Sequence, residues 1–114
     1  MIDQYYDSGW LCRKWFDGTA ECWRTITEGN VNFSGSNGSL YDASTGTDYF
    51  PTNFFINVPN VQATVRDIES GAGVGHFIGV MPHHTKSNVS FRVMSSISGS
   101  KSFSIYVYAI GKWK

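Results

Sequence analysis

Residues 9–27 read GWLCRKWFDGTAECWRTIT, two apolar-alternating runs, Gly9 to Phe16 and Thr19 to Thr27, around Asp17-Gly18. Asp-Gly between such runs is among the strongest short-range hairpin signals, because Gly takes a positive φ without steric cost. A strand pair therefore opens the fold, and two registers are open for it. A three-residue loop Phe16-Asp17-Gly18, with Gly18 in the left-handed position, sets Cys12 opposite Cys22; a two-residue Asp17-Gly18 turn sets Cys12 opposite Trp23. Glu21 then faces Arg13 or Lys14, an exposed pair that stabilises by about a few tenths of a kcal/mol and mainly helps hold the pairing. Trp10, Trp15 and Trp23 crowd onto one short ribbon, which something must cover.

Outward from the hairpin, composition extends the strand reading to the whole chain. Val 9 and Ile 8 outnumber Leu 2 and Ala 5, so residues that are stiff at χ1 replace good helix formers. Gly 12, Ser 14, Thr 8 and Asn 7 supply turns and pleated surfaces. At 41% hydrophobic and 16% aromatic, the chain is too apolar to be disordered. Its 114 residues make one domain, 1–114, with 1–8 as a lead-in and 9–27 as the opening hairpin.

Further along, 30–48 is rich in Gly, Ser, Asn and Asp, with Val31, Phe33, Leu40 and Tyr41 as apolar anchors of short edge strands. Phe50 to Val58 reads as a strand opened by Pro51 and ended by Pro59. Asn60 to Glu69 alternates cleanly, Val61, Ala63 and Val65 inward against Gln62, Thr64 and Arg66 outward, and Ile68 breaks the phase, which predicts a bulge near Asp67. Gly71-Ala72-Gly73 turns into a strand Val74 to Met81, and Pro82-His83-His84-Thr85 forms a loop. Asn88 to Ile97 puts Val89, Phe91, Val93 and Ile97 on one face. After Ser98-Gly99-Ser100, the last strand alternates Phe103, Ile105, Val107 and Ala109 against Ser104, Tyr106, Tyr108 and Ile110. Six to eight antiparallel strands without helical period predict an all-β sandwich of two face-to-face sheets.

The charge excludes some partners. Nine basic against nine acidic residues leave no surplus to drive contacts with phosphate or anionic lipid, so nucleic acid is not expected as a partner. No stretch approaches the ~20 apolar residues of a membrane span, and Met1 to Gln4 lacks the regions of a secretion signal; a soluble chain without membrane insertion is expected. Catalysis, cofactor and metal are not expected either. Adjacent His83 and His84 lack a third ligand at usable spacing. His76 has the parity of a core strand residue, and Cys12 and Cys22 sit inside an apolar hairpin, as buried free thiols or as a cross-strand disulfide if the register allows. Asp42 and Asp48 flank a loop without anything to set their separation. Residues 71–75, GAGVG, neither follow a strand nor open a helix as a phosphate loop does.

What stands out is aromatic residues on an outer face. Tyr106, Tyr108 and the terminal Trp113 suit flat stacking against sugars, with Arg, Asn and Asp reading hydroxyls. The same tyrosines also suit packing against another copy of the chain.

Three segments together, RKWFDGTAECW (Arg13 to Trp23), FPTNFFINVPNVQATV (Phe50 to Val65) and IYVYAIGKWK (Ile105 to Lys114), resemble the C-terminal domain of tail-fibre and minor structural proteins from phages and prophages of Gram-positive bacteria. Order and spacing match over about residues 9 to 114. The chain departs from that pattern at Arg24, where Gly is usual, and at Cys12, a position commonly aromatic. More distantly, the later half is similar to H-type lectin domains, six-stranded sandwiches that trimerise and bind sugars near protomer boundaries. The resemblance implies a tail-fibre tip module that binds host cell-surface carbohydrate, or a structural trimerisation and capping domain without a ligand. Tyr106, Tyr108 and Ile110, contiguous on the face of the last strand opposite its core set, predict self-association through that strand, and the resemblance selects a homotrimer, joined to the rest of the fibre through its N-terminal side. The resemblance also implies a place in the virion after assembly in the bacterial cytoplasm. By parity and lectin analogy, a groove at the subunit boundary would bring Arg92, His84, Tyr106 and Tyr108 within reach of a glycan.

Overall fold

A computed structural model describes residues 2–37, 40–68, 77–96 and 98–114. The described chain is all-β: β1 (Asp3–Asp7), β2 (Trp10–Lys14), β3 (Thr19–Phe33), β4 (Gly35–Asn37), β5 (Leu40–Ser44), β6 (Asp48–Tyr49), β7 (Asn60–Asp67), β8 (Phe77–His84), β9 (Asn88–Ser95) and β10 (Gly99–Lys112). One antiparallel sheet has the order β1-β2-β3-β10-β7; the other has β4-β5-β9-β6, with β8 on the free side of β9. Their inner faces share one core, built from Cys12, Cys22, Ile26, Phe103, Ile105 and Val107 on the first sheet and Val89, Phe91 and Val93 on the second. This is the expected β-sandwich. The molecule's shortest extent, 18 Å, matches two sheets about 10 Å apart with side chains on both outer faces.

The hairpin takes the three-residue loop. Trp15 N donates to Thr19 O at 2.8 Å and Gly18 N to Trp15 O at 3.1 Å, with Gly18 at φ +95°. Cys12 therefore lies opposite Cys22, both as buried free thiols. Arg13 faces Glu21 across the pair, but the Glu21 carboxylate turns to Trp15 and Tyr108 instead. The three tryptophans part company. Trp10 is fully buried and donates to Tyr49 O across the sandwich at 2.9 Å, whereas Trp15 and Trp23 stay half-buried.

Three local readings are corrected. Residues 1–8 are not merely a lead-in: β1 pairs with β2 from Asp3↔Lys14 to Asp7↔Trp10 and puts Tyr5 against the core. Phe50 to Val58 is not a strand. Phe50, Phe54 and Phe55 are all buried, and a period of two cannot send 54 and 55 to the same side. The segment turns instead, Phe54 N donating to Pro51 O at 3.1 Å with Asn53 at φ +56°. It plugs the sandwich with edge-on rings: Phe54 to Phe55 at 4.8 Å, Phe50 to Phe55 at 5.1 Å and Tyr5 to Phe54 at 6.5 Å. Finally, Pro82, His83 and His84 continue β8 rather than forming a loop. Proline is admissible there because β8 bonds to β9 alone within its sheet. The turn falls at Thr85 to Ser87, where Thr85 N donates to Asn88 O at 2.9 Å.

The alternation of β7 is as read, Val61, Ala63 and Val65 half-buried and Gln62, Thr64 and Arg66 exposed. The phase break at Ile68 is the end of this strand at Asp67. The readings for Gly71-Ala72-Gly73, Val74, His76 and Ile97 lie outside the described residues.

Candidate functional site

The outer face of the five-stranded sheet is assembled by register. One row of cross-strand neighbours runs Tyr6, Leu11, Trp23, Tyr108, Gln62 through all five strands. The next row toward the hairpin turn runs Gln4, Arg13, Glu21, Ile110, Asn60; in the other direction come Thr25, Tyr106, Thr64 and then Thr27, Ser104, Arg66. Antiparallel neighbours on one face approach closely enough to touch, so aromatic rings from β1, β3 and β10 share one surface. Tyr6 is 81% exposed and Tyr106 44%, while Trp23 and Tyr108 are half-buried against each other, ring centroids 5.1 Å apart.

Polar contacts orient these rings. Tyr108 OH donates to Glu21 Oε2 at 2.5 Å and Trp15 Nε1 donates to Glu21 Oε1 at 2.8 Å. Burial, and then the bond to Glu21, pushes the Tyr108 phenol up to about 12, so it stays a protonated donor. Arg13 Cζ lies 5.0 Å over the Trp23 ring, with Nε donating to Gln4 Oε1 at 2.9 Å. Arg66 Nη1 donates to Tyr106 OH at 3.3 Å. Two shallow grooves flank Tyr106, one of about 270 Å³ beside Tyr6, Leu11 and Trp23, the other of about 320 Å³ beside Gln62, Thr64 and Tyr108. Flat rings flanked by amides, hydroxyls and guanidinium donors can stack on and hydrogen-bond a polyhydroxylated ligand.

Of the four residues singled out from sequence, the structure brings Tyr106 and Tyr108 together and places the other two elsewhere. Arg92 projects from the outer face of the second sheet, where Nη1 pairs with Asp42 Oδ2 at 2.8 Å. His84 Nε2 donates to Pro59 O at 2.9 Å, tying β8 to the end of the 50–59 segment, and its Nδ1 is buried without a partner among the described residues. Trp113 is a clasp, Nε1 donating to Trp15 O at 3.0 Å. Asp42 and Asp48 each meet an arginine, Arg92 and Arg24, rather than each other. Burial pushes the Cys12 thiol up to about 11 and Cys22 higher still. A further groove, about 540 Å³ between Tyr49 to Ile56 and Lys86, offers one charged side chain, Lys86. Tyr6, Leu11, Trp23, Gln62 and Arg66 are members of the face that sequence reasoning did not assign to it. Their signal is the parity of each strand, which becomes a shared face only once strand order is known.

Two solved structures share this architecture. One, an N-truncated R1-type pyocin tail fibre, superposes with a TM-score of 0.63 at 19% identity over 96% of this chain and 84% of that one. The other, a C-terminal fragment of the P. aeruginosa R1 pyocin fibre, gives a TM-score of 0.64 at 19% identity over 96% of this chain. This chain has the fold of a pyocin tail-fibre domain. It spans 84% of the first structure and about a quarter, 27%, of the second. Similarity to H-type lectin domains is not shown by these two matches. No family model and no curated protein sequence matches the chain.

Proposed function

We propose that this domain is the tip module of a phage tail fibre and that it binds host cell-surface carbohydrate through the outer face of its five-stranded sheet. The observation that carries the reading is the concentration of Tyr6, Trp23, Tyr106 and Tyr108 on one face beside the guanidinium groups of Arg13 and Arg66. The fold shared with tail fibres and the three segments that resemble phage tail-fibre domains support the setting: a virion component, assembled in the bacterial cytoplasm and joined to its fibre on the N-terminal side. The domain acts by binding and not by catalysis. Each site is weak, since sugar hydroxyls exchange water for protein at little net gain, and several copies on one fibre raise the effective strength.

A glycan array and host-cell polysaccharide extracts probed with the 114-residue chain test this directly. Retention is expected for the native chain and at least a tenfold loss for Trp23→Ala and Tyr106→Ala, of the order that removing one stacked ring costs. The second reading, a non-binding trimerisation or capping domain, is favoured by one feature. Tyr6 and Tyr106 leave aromatic surface open on a chain with no net charge to oppose association. Absence of binding to any glycan, with a trimer mass by light scattering that Tyr106→Ser abolishes, decides for it.

A further inference from the structure

We infer that the saccharide this face accepts is an anionic polymer, carrying carboxylate or phosphate groups at intervals, laid diagonally across the sheet from Arg13 to Arg66. The inference rests on the carbohydrate reading above and names the class of ligand within it.

The whole chain is neutral, but this face is not. Among the described face positions of β1, β2, β3, β10 and β7, Glu21 is the one carboxylate, and both its oxygens already accept, from Trp15 and Tyr108. Arg13 and Arg66 each engage the face through one nitrogen, Nε to Gln4 and Nη1 to Tyr106. That leaves further N–H donors of each planar guanidinium for a ligand, and the guanidinium is the group whose geometry matches carboxylate and phosphate.

Position then says that one small anion cannot use both. Arg13 aligns with Ile110 and Arg66 with Ser104, six residues apart along β10, and the two arginines stand three strands apart in the order β2-β3-β10-β7. With strands about 4.8 Å apart and about 3.3 Å per residue, their α-carbons are about 25 Å apart. The guanidinium groups lean inward from these positions, Arg13 over Trp23 and Arg66 to the Tyr106 hydroxyl, so the charges are closer than the α-carbons but still on different rings, and a short run of sugars reaches from one to the other. The residues on the diagonal between them are Trp23, Tyr108 and Tyr106, in that order. Arg13 lies over Trp23 and Arg66 reaches the Tyr106 hydroxyl, so each cation sits beside a ring along this diagonal, an arrangement that suits a polymer whose sugars meet the exposed ring of Tyr106 while its charges meet the two guanidinium groups.

The test compares polymers that differ in charge alone: polygalacturonate against its fully methyl-esterified form, and phosphomannan against neutral mannan, each titrated into the native chain. The expected result is that at least one charged polymer binds about tenfold or more tighter than its neutral counterpart, with affinity falling as salt rises. Which pair shows the difference identifies carboxylate or phosphate as the anion. Arg66→Gln and Arg13→Gln should each lose about tenfold more on the charged polymer than on the neutral one, and Arg66→Lys should recover part of that difference. Lys86→Gln, away from this face, should bind as the native chain does. Charged and neutral polymers binding equally, with Arg66→Gln without effect, overturn the anionic track and leave the carbohydrate reading standing. Loss at Lys86 equal to that at Arg66 also overturns it, because attraction is then diffuse. No polymer of either kind binding, in agreement with a silent glycan array, removes the carbohydrate reading itself.

Discussion

Gly9 shows how closely single residues are held at the edge of the candidate face. Its φ is +86°, and a Cβ there would meet Arg24 Nη1 at 2.8 Å. Arg24 is committed in turn, Nη1 donating to Ser8 O at 2.9 Å and Nη2 pairing with Asp48 at 3.4 Å on the opposite sheet. Gly9→Ala should therefore lower stability by about 1–3 kcal/mol in urea denaturation. Adding Arg24→Ala should return the contact part of that loss but not the backbone part. The two thiols make a second prediction at this scale. Burial raises Cys12 to about 11 from an ordinary 9.0, and raises Cys22 as well. Both should be silent to a thiol reagent at pH 8 in the native chain and react fully in denaturant. Because the folded-state values are raised, this contribution to stability is complete below pH 9 and drains as pH rises through about 11, so the melting temperature should fall across that window. Cys12 opposite Cys22 was legible as one of two registers; what selects it is the pair of hydrogen bonds closing the Trp15 to Thr19 loop, which neither flanking run encodes.

Among elements, the strands that were legible are those with one buried face: β7, β9 and β10 alternate because water lies on one side and the core on the other. The segment 50–59 escaped that logic. Its three phenylalanines are spaced for a strand only if one of them faces water, and the fold instead bends the chain so that all three fill the space beneath β1 and β2. Gly111 is part of the same joint, since a Cβ there would approach Phe55 Cδ1 to 2.9 Å. β1 escaped for the opposite reason: as an edge strand, with both of its aspartates exposed, it carries no apolar run. It is held through Tyr5 against Phe54 and through pairing to β2. Phe54→Ala should cost about 3–5 kcal/mol. Native-state hydrogen exchange should show β1 amides losing protection first while β9 keeps its rank; equal loss in both strands would mean that the plug does not hold β1.

At the scale of the molecule, the sandwich buries its apolar alternation inward and leaves one flat face where aromatic rings, amides and two guanidinium groups meet. Two of the four residues singled out from sequence, Tyr106 and Tyr108, lie on this face. Their place was legible because parity on the last strand is unambiguous. Their neighbours Trp23, Arg13 and Arg66 come from strands far apart in sequence, and only the order β2-β3-β10-β7 brings them together. Arg92 and His84, drawn in by lectin analogy, belong to the second sheet, and their bonds to Asp42 and Pro59 show them holding that sheet and its neighbouring loop. The claim that binding occurs on the aromatic face is tested most directly by nuclear magnetic resonance of the isotopically labelled chain during titration with polysaccharide extracted from host cells. The expected result is shifts concentrated at Trp23, Gln62, Thr64, Arg66, Tyr106 and Tyr108, with the Trp23 indole among the largest. Shifts confined instead to Tyr49 through Ile56 and Lys86, or to Arg92 and its neighbours, with the Trp23 indole unmoved, would contradict it.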